Sequence, residues 1–182
     1  MERLLFGTAG TPLSSKGNDS LSGIKRVREL GLGCMELEFV RGIRMGESMA
    51  HMVAEVAKEL DVRLSVHAPY YINLNAAGDT LAKSRERILN SARIGSICGA
   101  RSVVIHAGYF QGETGQAVYG KIKKQLMELI EQLRSEDMNI TEGVFAMHRF
   151  FTSARKDRKV QFPRGICICS GADREKAWAR RA

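Results

Sequence analysis

Residues 63–69 read Arg-Leu-Ser-Val-His-Ala-Pro, which predicts a short strand closed by a proline-containing loop. A helical pattern follows from about Thr80 to Ile97 and stops at Gly99. A second apolar strand, Arg-Ser-Val-Val-Ile-His, then occupies residues 101–106. A strand–helix–strand unit of this size predicts two parallel strands joined by a right-handed crossover.

The same unit repeats on both sides of this stretch. Upstream, strands are predicted at residues 4–8 and 34–40, with helices at about 19–30 and 49–60. Downstream, apolar residues at helical spacing between Ile122 and Leu133 mark a fourth helix. The fold class is therefore α/β with parallel (βα) units. A closed (βα) barrel and an open doubly wound sheet both satisfy this pattern.

Composition and charge are those of a globular protein of one domain. The 182 residues carry a net charge of +8, of which residues 1–140 contribute +2 and residues 141–182 contribute +6. The basic balance, which can favour nucleic acid, thus belongs mostly to the end of the chain. No apolar stretch approaches the roughly 18 residues that a membrane span needs, and the N-terminus has no secretory pattern. We expect a cytoplasmic protein with no membrane partner.

Two histidines close consecutive predicted strands, His67 and His106. The carboxyl ends of parallel strands face the active-site side of such folds. Neighbouring strands lie about 4.8 Å apart, and zinc binds histidine nitrogen at about 2.0–2.1 Å. Both rings could therefore reach one ion, or they could be polar residues satisfied at a barrel rim. Glu36 and Glu38 project from one face of the second strand, where ion pairing is expected.

The segments around these histidines resemble the endonuclease IV family. Residues 67–75, His-Ala-Pro-Tyr-Tyr-Ile-Asn-Leu-Asn, resemble the loop in which a histidine ligand precedes Tyr and Ile-Asn-Leu. Residues 104–108, Val-Ile-His-Ala-Gly, resemble the family's next ligand strand. Lys-Ser-Arg at 83–85, Gly-Thr-Ala-Gly at 7–10 and Glu-Leu-Glu-Phe at 36–39 also suit the pattern. The resemblance covers about residues 3–139.

What this resemblance implies is a zinc-dependent DNA-repair endonuclease built on a xylose isomerase-like TIM barrel. Such enzymes cut double-stranded DNA on the 5′ side of abasic sites. By position, His67 and His106 would share one zinc ion. Tyr70 would press into the DNA at the lesion, and Arg41 would lie along the DNA-facing loop.

The chain departs from the family after the fourth unit. The glutamate that completes the first zinc site belongs at the end of strand five, and Glu142 lies in about that region of the sequence. No fifth strand is predicted, however, because the periodicity fails after about Asn139. A full barrel takes about 250 residues. We therefore expect residues 1–140 to form the (βα)4 part of a barrel, as in a truncated chain, with residues 141–182 as an unassigned basic tail.

Two other function classes stay open, and the oligomeric state carries an expectation of its own. Sugar isomerases and epimerases of the related barrels also place histidines and carboxylates at strand ends around a metal. The chain could instead be a non-enzymatic fragment that binds nucleic acid. In a half-barrel the first and fourth strands would keep open edges, and open edges favour self-association.

Overall fold

The computed structural model describes residues 5–136, 138 and 143–147. Five strands alternate with four helices along this part of the chain. The strands are β1 (Gly7–Ala9), β2 (Cys34–Glu38), β3 (Arg63–His67), β4 (Ser102–His106) and β5 (Gly143–Met147). The helices are α1 (Ser20–Glu29), α2 (Glu47–Glu59), α3 (Gly78–Ile97) and α4 (Gly115–Ser135).

The strands form one parallel sheet in the order β1-β2-β3-β4-β5. Each strand is therefore hydrogen-bonded to its neighbour in the sequence, and the order never reverses. A doubly wound sheet has a point at which the strand order switches. The strict sequence order is that of a (βα) barrel, so the fold is a partial TIM barrel.

The two faces of the sheet differ in character. One face is apolar and fully buried, and it packs against the helices through Ile24 and Val27 of α1 and Ala50 and Val53 of α2, among others. The strand residues of this face are Met35, Leu37, Leu64, Val66, Val103 and Ile105. The opposite face, which would line the interior of a closed barrel, carries polar and charged side chains. This alternation therefore separates the face that packs against the helices from the polar face that carries His67 and His106.

The helices are fixed to the sheet by apolar faces that follow helical spacing. The buried positions of α4 share one stripe, Val118, Ile122, Leu126, Leu129 and Leu133. Helix α1 begins at an Asp19 cap, whose Oδ1 accepts a hydrogen bond from the Ser22 N–H at 2.9 Å. The hydrogen bond from the Ser22 hydroxyl, and then this bond from the Ser22 N–H, lower the pKa of the Asp19 carboxyl. The four helices predicted from the sequence are confirmed. The ends of α1, α2 and α3 differ by one or two residues, whereas α4 begins at Gly115, about two turns before the predicted apolar residues.

The structure corrects the sequence analysis at both ends of the sheet. Strand β1 begins at Gly7, later than the predicted start at Leu4, which itself lies outside the described residues. Strand β5 follows residue 140, where no strand was predicted, and pairs with all five residues of β4. The expectation that β4 is an edge strand was therefore wrong, and the described sheet has its edges at β1 and β5. The division of the chain into domains at residue 140 stays a prediction.

Candidate functional site

The two strand-end histidines project from the same face of the sheet. His67 is the last residue of β3 and pairs with Val104, which stands two residues before His106 at the end of β4. Side chains alternate between faces along a strand, so His67, Val104 and His106 share one face. This is the face that would line the barrel interior, at the carboxyl end of the strands.

The structure brings these histidines together with Tyr70. The ring centroids of His67 and His106 lie 5.1 Å apart, with the planes tilted by 49°. The Tyr70 ring lies 5.6 Å from each histidine ring, edge-on to His67. His67 is 7% exposed, whereas Tyr70, whose ring neighbours both histidine rings, is 50% exposed. The structure therefore brings His67, Tyr70 and His106 together, and the roles of the histidines in metal binding and of Tyr70 in DNA binding stay predictions.

A backbone contact orients the His67 ring. Its Nδ1 lies 2.8 Å from the carbonyl oxygen of Ala68. A carbonyl can only accept a hydrogen bond, so Nδ1 carries the proton and donates it. In the neutral ring Nε2 then keeps its lone pair for a ligand. Histidines that bind metals almost always donate their second nitrogen to a carbonyl or carboxylate in this way.

Arg41 lies on the loop next to the one that carries Tyr70. The Tyr70 N–H donates to the carbonyl of Val40 at 3.4 Å, and Arg41 follows directly with its side chain exposed. The Phe39 N–H donates to the His67 carbonyl at 2.9 Å, which ties the two strand ends together. The predicted DNA-facing arginine thus shares the carboxyl edge with the histidine–tyrosine cluster, although no contact between them is seen.

Residues 72–75, the second half of the loop that carries the most specific part of the resemblance, are buried and hold loops together. Ile72 and Leu74 are 0% and 1% exposed and belong to the core. The Asn73 N–H donates to Ser84 Oγ of α3 at 3.0 Å, and the Leu74 N–H donates to the Ala107 carbonyl at 2.8 Å. This segment therefore fixes the loop after β3 against the loop after β4.

Two buried asparagines complete this connection, and sequence reasoning assigned them no role. Asn73 Oδ1 accepts from the Asn75 N–H at 3.1 Å and from the Tyr109 N–H at 3.4 Å. Asn75 Nδ2 donates to the Tyr109 carbonyl at 2.9 Å. The close approach requires glycine at 108, because a Cβ there would lie 2.6 Å from Asn73 Oδ1. The sequence feature that could have indicated this role is the alternation of the two asparagines with the apolar Ile72 and Leu74 in a predicted loop.

The carboxylates of β2 lie on the same face as the histidines, further along the sheet. Glu38 pairs with His67 across β2 and β3, and its carboxylate borders Gly10 in the loop after β1. A Cβ at Gly10, whose φ is +79°, would lie 3.0 Å from that carboxylate. Glu38 is thus at the mouth of the barrel rather than in its interior.

His67 and His106 fit zinc as two ligands of an incomplete set. Structural and catalytic zinc sites use three or four protein ligands. Within residues 5–136, no group of three or more ligand-type side chains could hold an ion. Glu142, the expected third ligand, and His148 both lie outside the described residues. Strand β5 begins with Gly143 beside Ser102, so Met147 is the residue paired with His106 at the carboxyl end.

A parallel sheet in sequence order, with two histidines at its carboxyl edge, is typical of (βα) barrels, which carry their sites at this end. Within that class, the chain belongs to the xylose isomerase-like TIM barrel family, which it matches over residues 24–166. The matched segment extends past β5, which agrees with a fifth strand that continues the barrel pattern.

None of the described helices is long and apolar enough to cross a membrane.

Two curated relatives illustrate the range of similarity. An uncharacterised protein of Methanocaldococcus jannaschii is 36% identical over 138 residues, which cover 75% of this chain and 49% of the relative. A probable endonuclease 4 of Streptomyces coelicolor is 35% identical over 74 residues, covering 40% of this chain and 25% of the relative. This chain therefore spans about half the length of the M. jannaschii relative, and a smaller part of the endonuclease aligns.

Solved structures share the fold with both enzyme types. Endonuclease IV of Thermus thermophilus superimposes with a TM-score of 0.55 at 17% identity, covering 78% of this chain and 51% of that one. D-psicose 3-epimerase of Clostridium cellulolyticum gives 0.60 at 10% identity, covering 78% and 52%. Identities this low show the fold alone, so the choice between the two chemistries depends on the site.

Proposed function

We propose that this chain contains the first zinc ligands of a DNA-repair endonuclease, an enzyme that hydrolyses phosphodiester bonds 5′ to abasic sites. The observation that carries the proposal is the cluster of His67, His106 and Tyr70. Its two histidines lie 5.1 Å apart and a half-exposed tyrosine ring covers both. The similarity of 74 residues to a probable endonuclease 4 supports the same assignment.

In this proposal the histidines hold zinc and the loops hold DNA. A zinc ion there would activate water and offset charge that develops on the phosphate. His67 presents Nε2 because its Nδ1 is engaged with the Ala68 carbonyl. Tyr70 is 50% exposed, and its ring would enter the gap left by a missing base, where neighbouring bases unstack at low cost. Arg41 is exposed beside that loop and suits a phosphate contact.

A sugar epimerase is the second candidate, favoured by the fold match to D-psicose 3-epimerase. A ketose needs an enclosed polar pocket around the metal. The described carboxyl edge instead exposes three tyrosines, Tyr70, Tyr71 and Tyr109, at 50%, 68% and 57%. Exposed aromatic rings beside a metal site suit the bases of a polynucleotide better than a small sugar. A non-enzymatic fragment that binds nucleic acid would share this surface without the zinc.

The test compares DNA and ketose as substrates of the purified chain. We expect it to bind a duplex with an abasic site more tightly than an intact duplex, with zinc strengthening the preference. His67→Ala should remove the effect of zinc, and His51→Ala should keep it, because His51 is an exposed histidine on α2. Equal binding of both duplexes, together with metal-dependent conversion of D-fructose, would overturn the endonuclease assignment in favour of the epimerase.

A further inference from the structure

The two strands that carry the histidines are paired with each other over a short stretch. Strands β3 and β4 pair through Val66–Val103 and His67–Val104, whereas β2 with β3 and β4 with β5 each pair along five residues. His106 stands two residues beyond Val104, so it lies level with residue 69, which is past the end of β3. Direct pairing of β3 with β4 therefore stops before it reaches the second histidine.

The chain after β3 turns away from β4 at a proline. Ala68 still donates its N–H to the Val104 carbonyl at 2.9 Å. Pro69, the residue level with the second histidine, has no N–H to donate. The Tyr70 N–H then donates to the Val40 carbonyl of the loop after β2, at 3.4 Å. The backbone thus moves from β4 towards β2 at the point where two metal ligands need a fixed separation.

Hydrogen bonds of residues 73–75 restore the connection further along both loops. The Leu74 N–H donates to the Ala107 carbonyl at 2.8 Å. The Tyr109 N–H donates to Asn73 Oδ1 at 3.4 Å, and Asn75 Nδ2 donates to the Tyr109 carbonyl at 2.9 Å. Asn73 and Asn75 are 9% and 5% exposed, so water has little access to their amides. The loop after β4 is therefore held from its first residue.

The two loops also touch where these bonds are made. Gly108, two residues after His106, has a φ of +151°, and a Cβ there would lie 2.6 Å from Asn73 Oδ1 and 3.2 Å from the Leu74 nitrogen. Contacts this close leave no room for a side chain between the loops. A change in the loop after β3 is therefore transmitted directly to the backbone beside His106.

We infer that Asn73 and Asn75 are positioning residues for the metal ligands, an inference that rests on the zinc site of the proposed function. They hold the backbone after β4 so that the His106 ring stands 5.1 Å from the His67 ring. Strand β5 holds His106 from the other side, through its pairing with Met147, and does not fix its distance from β3. Zinc requires both histidine nitrogens at about 2.0–2.1 Å, and a site of this kind tolerates displacements of only about 0.5 Å. Both asparagines act through the backbone, without contacting the metal.

The first measurement is zinc affinity, by competition with a chromophoric chelator. We expect Asn73→Ala and Asn75→Ala each to weaken zinc binding about tenfold, the lower end of the range for residues that orient metal ligands. Asn90→Ala is the matched control, because the Asn90 side chain accepts an exposed bond from Arg93, remote from both loops. Ile24→Val, in the core under α1, controls for a general loss of stability. Neither control should change the affinity.

The second measurement separates positioning from folding, by NMR of the imidazole nitrogens. Zinc should shift the resonances of both His67 and His106 in the wild type, but those of one ring only in Asn73→Ala. A role in stability alone would leave both rings responding in the folded protein. Asn73→Asp keeps the acceptor oxygen and should restore the response of both rings.

A glycine pair tests the same contact from the side of β4. Gly108→Ala should act as Asn73→Ala does, because the new Cβ displaces Asn73 Oδ1. Gly120→Ala, on α4, is its control, since a Cβ there meets no atom within 4 Å. Asn75→Ala keeps the test decisive if Asn73→Ala fails to fold, because the Tyr109 carbonyl lies under a side chain that is 57% exposed and water can reach it.

The outcomes distinguish this inference from the function on which it rests. If the wild type and the Asn73, Asn75 and Gly108 variants all bind zinc equally through both rings, the positioning role is wrong and the zinc site stands. If zinc shifts neither ring of the wild type, the proposed function fails, and the zinc-free protein decides the inference. A nuclear Overhauser effect between the rings of His67 and His106 should then be present in the wild type and lost in Asn73→Ala. Its absence from the wild type, or its retention in Asn73→Ala, would overturn the positioning role.

Discussion

Replacing Asn73 with alanine should destabilise the protein, because its side chain is an acceptor inside the connection between two site loops. Asn73 Oδ1 accepts from the Asn75 N–H at 3.1 Å and from the Tyr109 N–H at 3.4 Å. Alanine removes the acceptor and leaves both backbone donors without it. The Asn73 N–H bond to Ser84 Oγ is a backbone bond and should persist.

The expected magnitude follows from how buried each donor is. Asn75 is 5% exposed, so its N–H has little access to water, and an unsatisfied buried donor costs about 1–3 kcal/mol. The Tyr109 bond is longer and lies under an exposed side chain, where water can replace the lost oxygen at little cost. We therefore expect a loss of about 2 kcal/mol in the free energy of unfolding, which lowers the Tm of a protein this size by about 4–8 °C.

Urea unfolding followed by circular dichroism measures this loss. Asn73→Asp keeps an acceptor oxygen and should recover part of the stability. Asn90→Ala is the control, since its side chain accepts only an exposed bond from Arg93, and it should change the free energy by less than about 0.5 kcal/mol. A loss no larger than that of Asn90→Ala would refute the reasoning, and the two loops would be held by their apolar residues and by the bonds from Leu74 and Asn75 to the carbonyls of Ala107 and Tyr109.

Four further predictions concern the metal, activity, thiols and assembly. His106→Ala should abolish zinc binding in calorimetry while His51→Ala keeps it, and equal affinities in wild type and His106→Ala would contradict a shared site. The chain should incise abasic DNA poorly, because two histidines leave the zinc shell incomplete; robust, chelator-sensitive incision would mean that ligands come from outside the described residues. Burial raises the pKa of the Cys98 thiol to about 12. At pH 8 this thiol is therefore protonated, and peptide mapping should show slower alkylation by iodoacetamide than at Cys34, whose pKa burial also raises. Equal labelling would show that Cys98 is accessible. We also propose that β1 and β5, the edge strands of the described sheet, cause self-association. Sedimentation should then show a mass that rises with concentration, whereas a monomer at every concentration would rule it out.

Much of the site could be predicted from the sequence because its residues follow strand ends. The apolar runs that end at His67 and His106 mark the strands locally, and parallel strands share a carboxyl edge. The alternation of Cys34–Glu38 and Arg63–His67 between polar and apolar residues also carried unused information. It indicates a sheet with one apolar face that packs against the helices and one polar face.

The role of the loop residues could not be obtained in this way. Asn73 and Asn75 read as ordinary loop residues because their partners, Tyr109 and Ser84, are remote in the sequence. Strand β5 was missed because its Gly-Val-Phe-Ala-Met run has no helical pattern after it to complete the unit. Its pairing with β4 is a long-range contact that local periodicity does not encode.

By itself, the sequence determined the repeated strand–helix unit, its parallel direction and the two histidines at strand ends, because each depends on side chains close together in the chain. Only the tertiary structure decided three other features. They are the order of the strands, the 5.1 Å between the ring centroids of His67 and His106, and the hydrogen bond from Asn75 Nδ2 to the Tyr109 carbonyl. These features depend on which distant segments pair. Hydrogen bonds between strands and burial of one sheet face fix that pairing once the chain has folded.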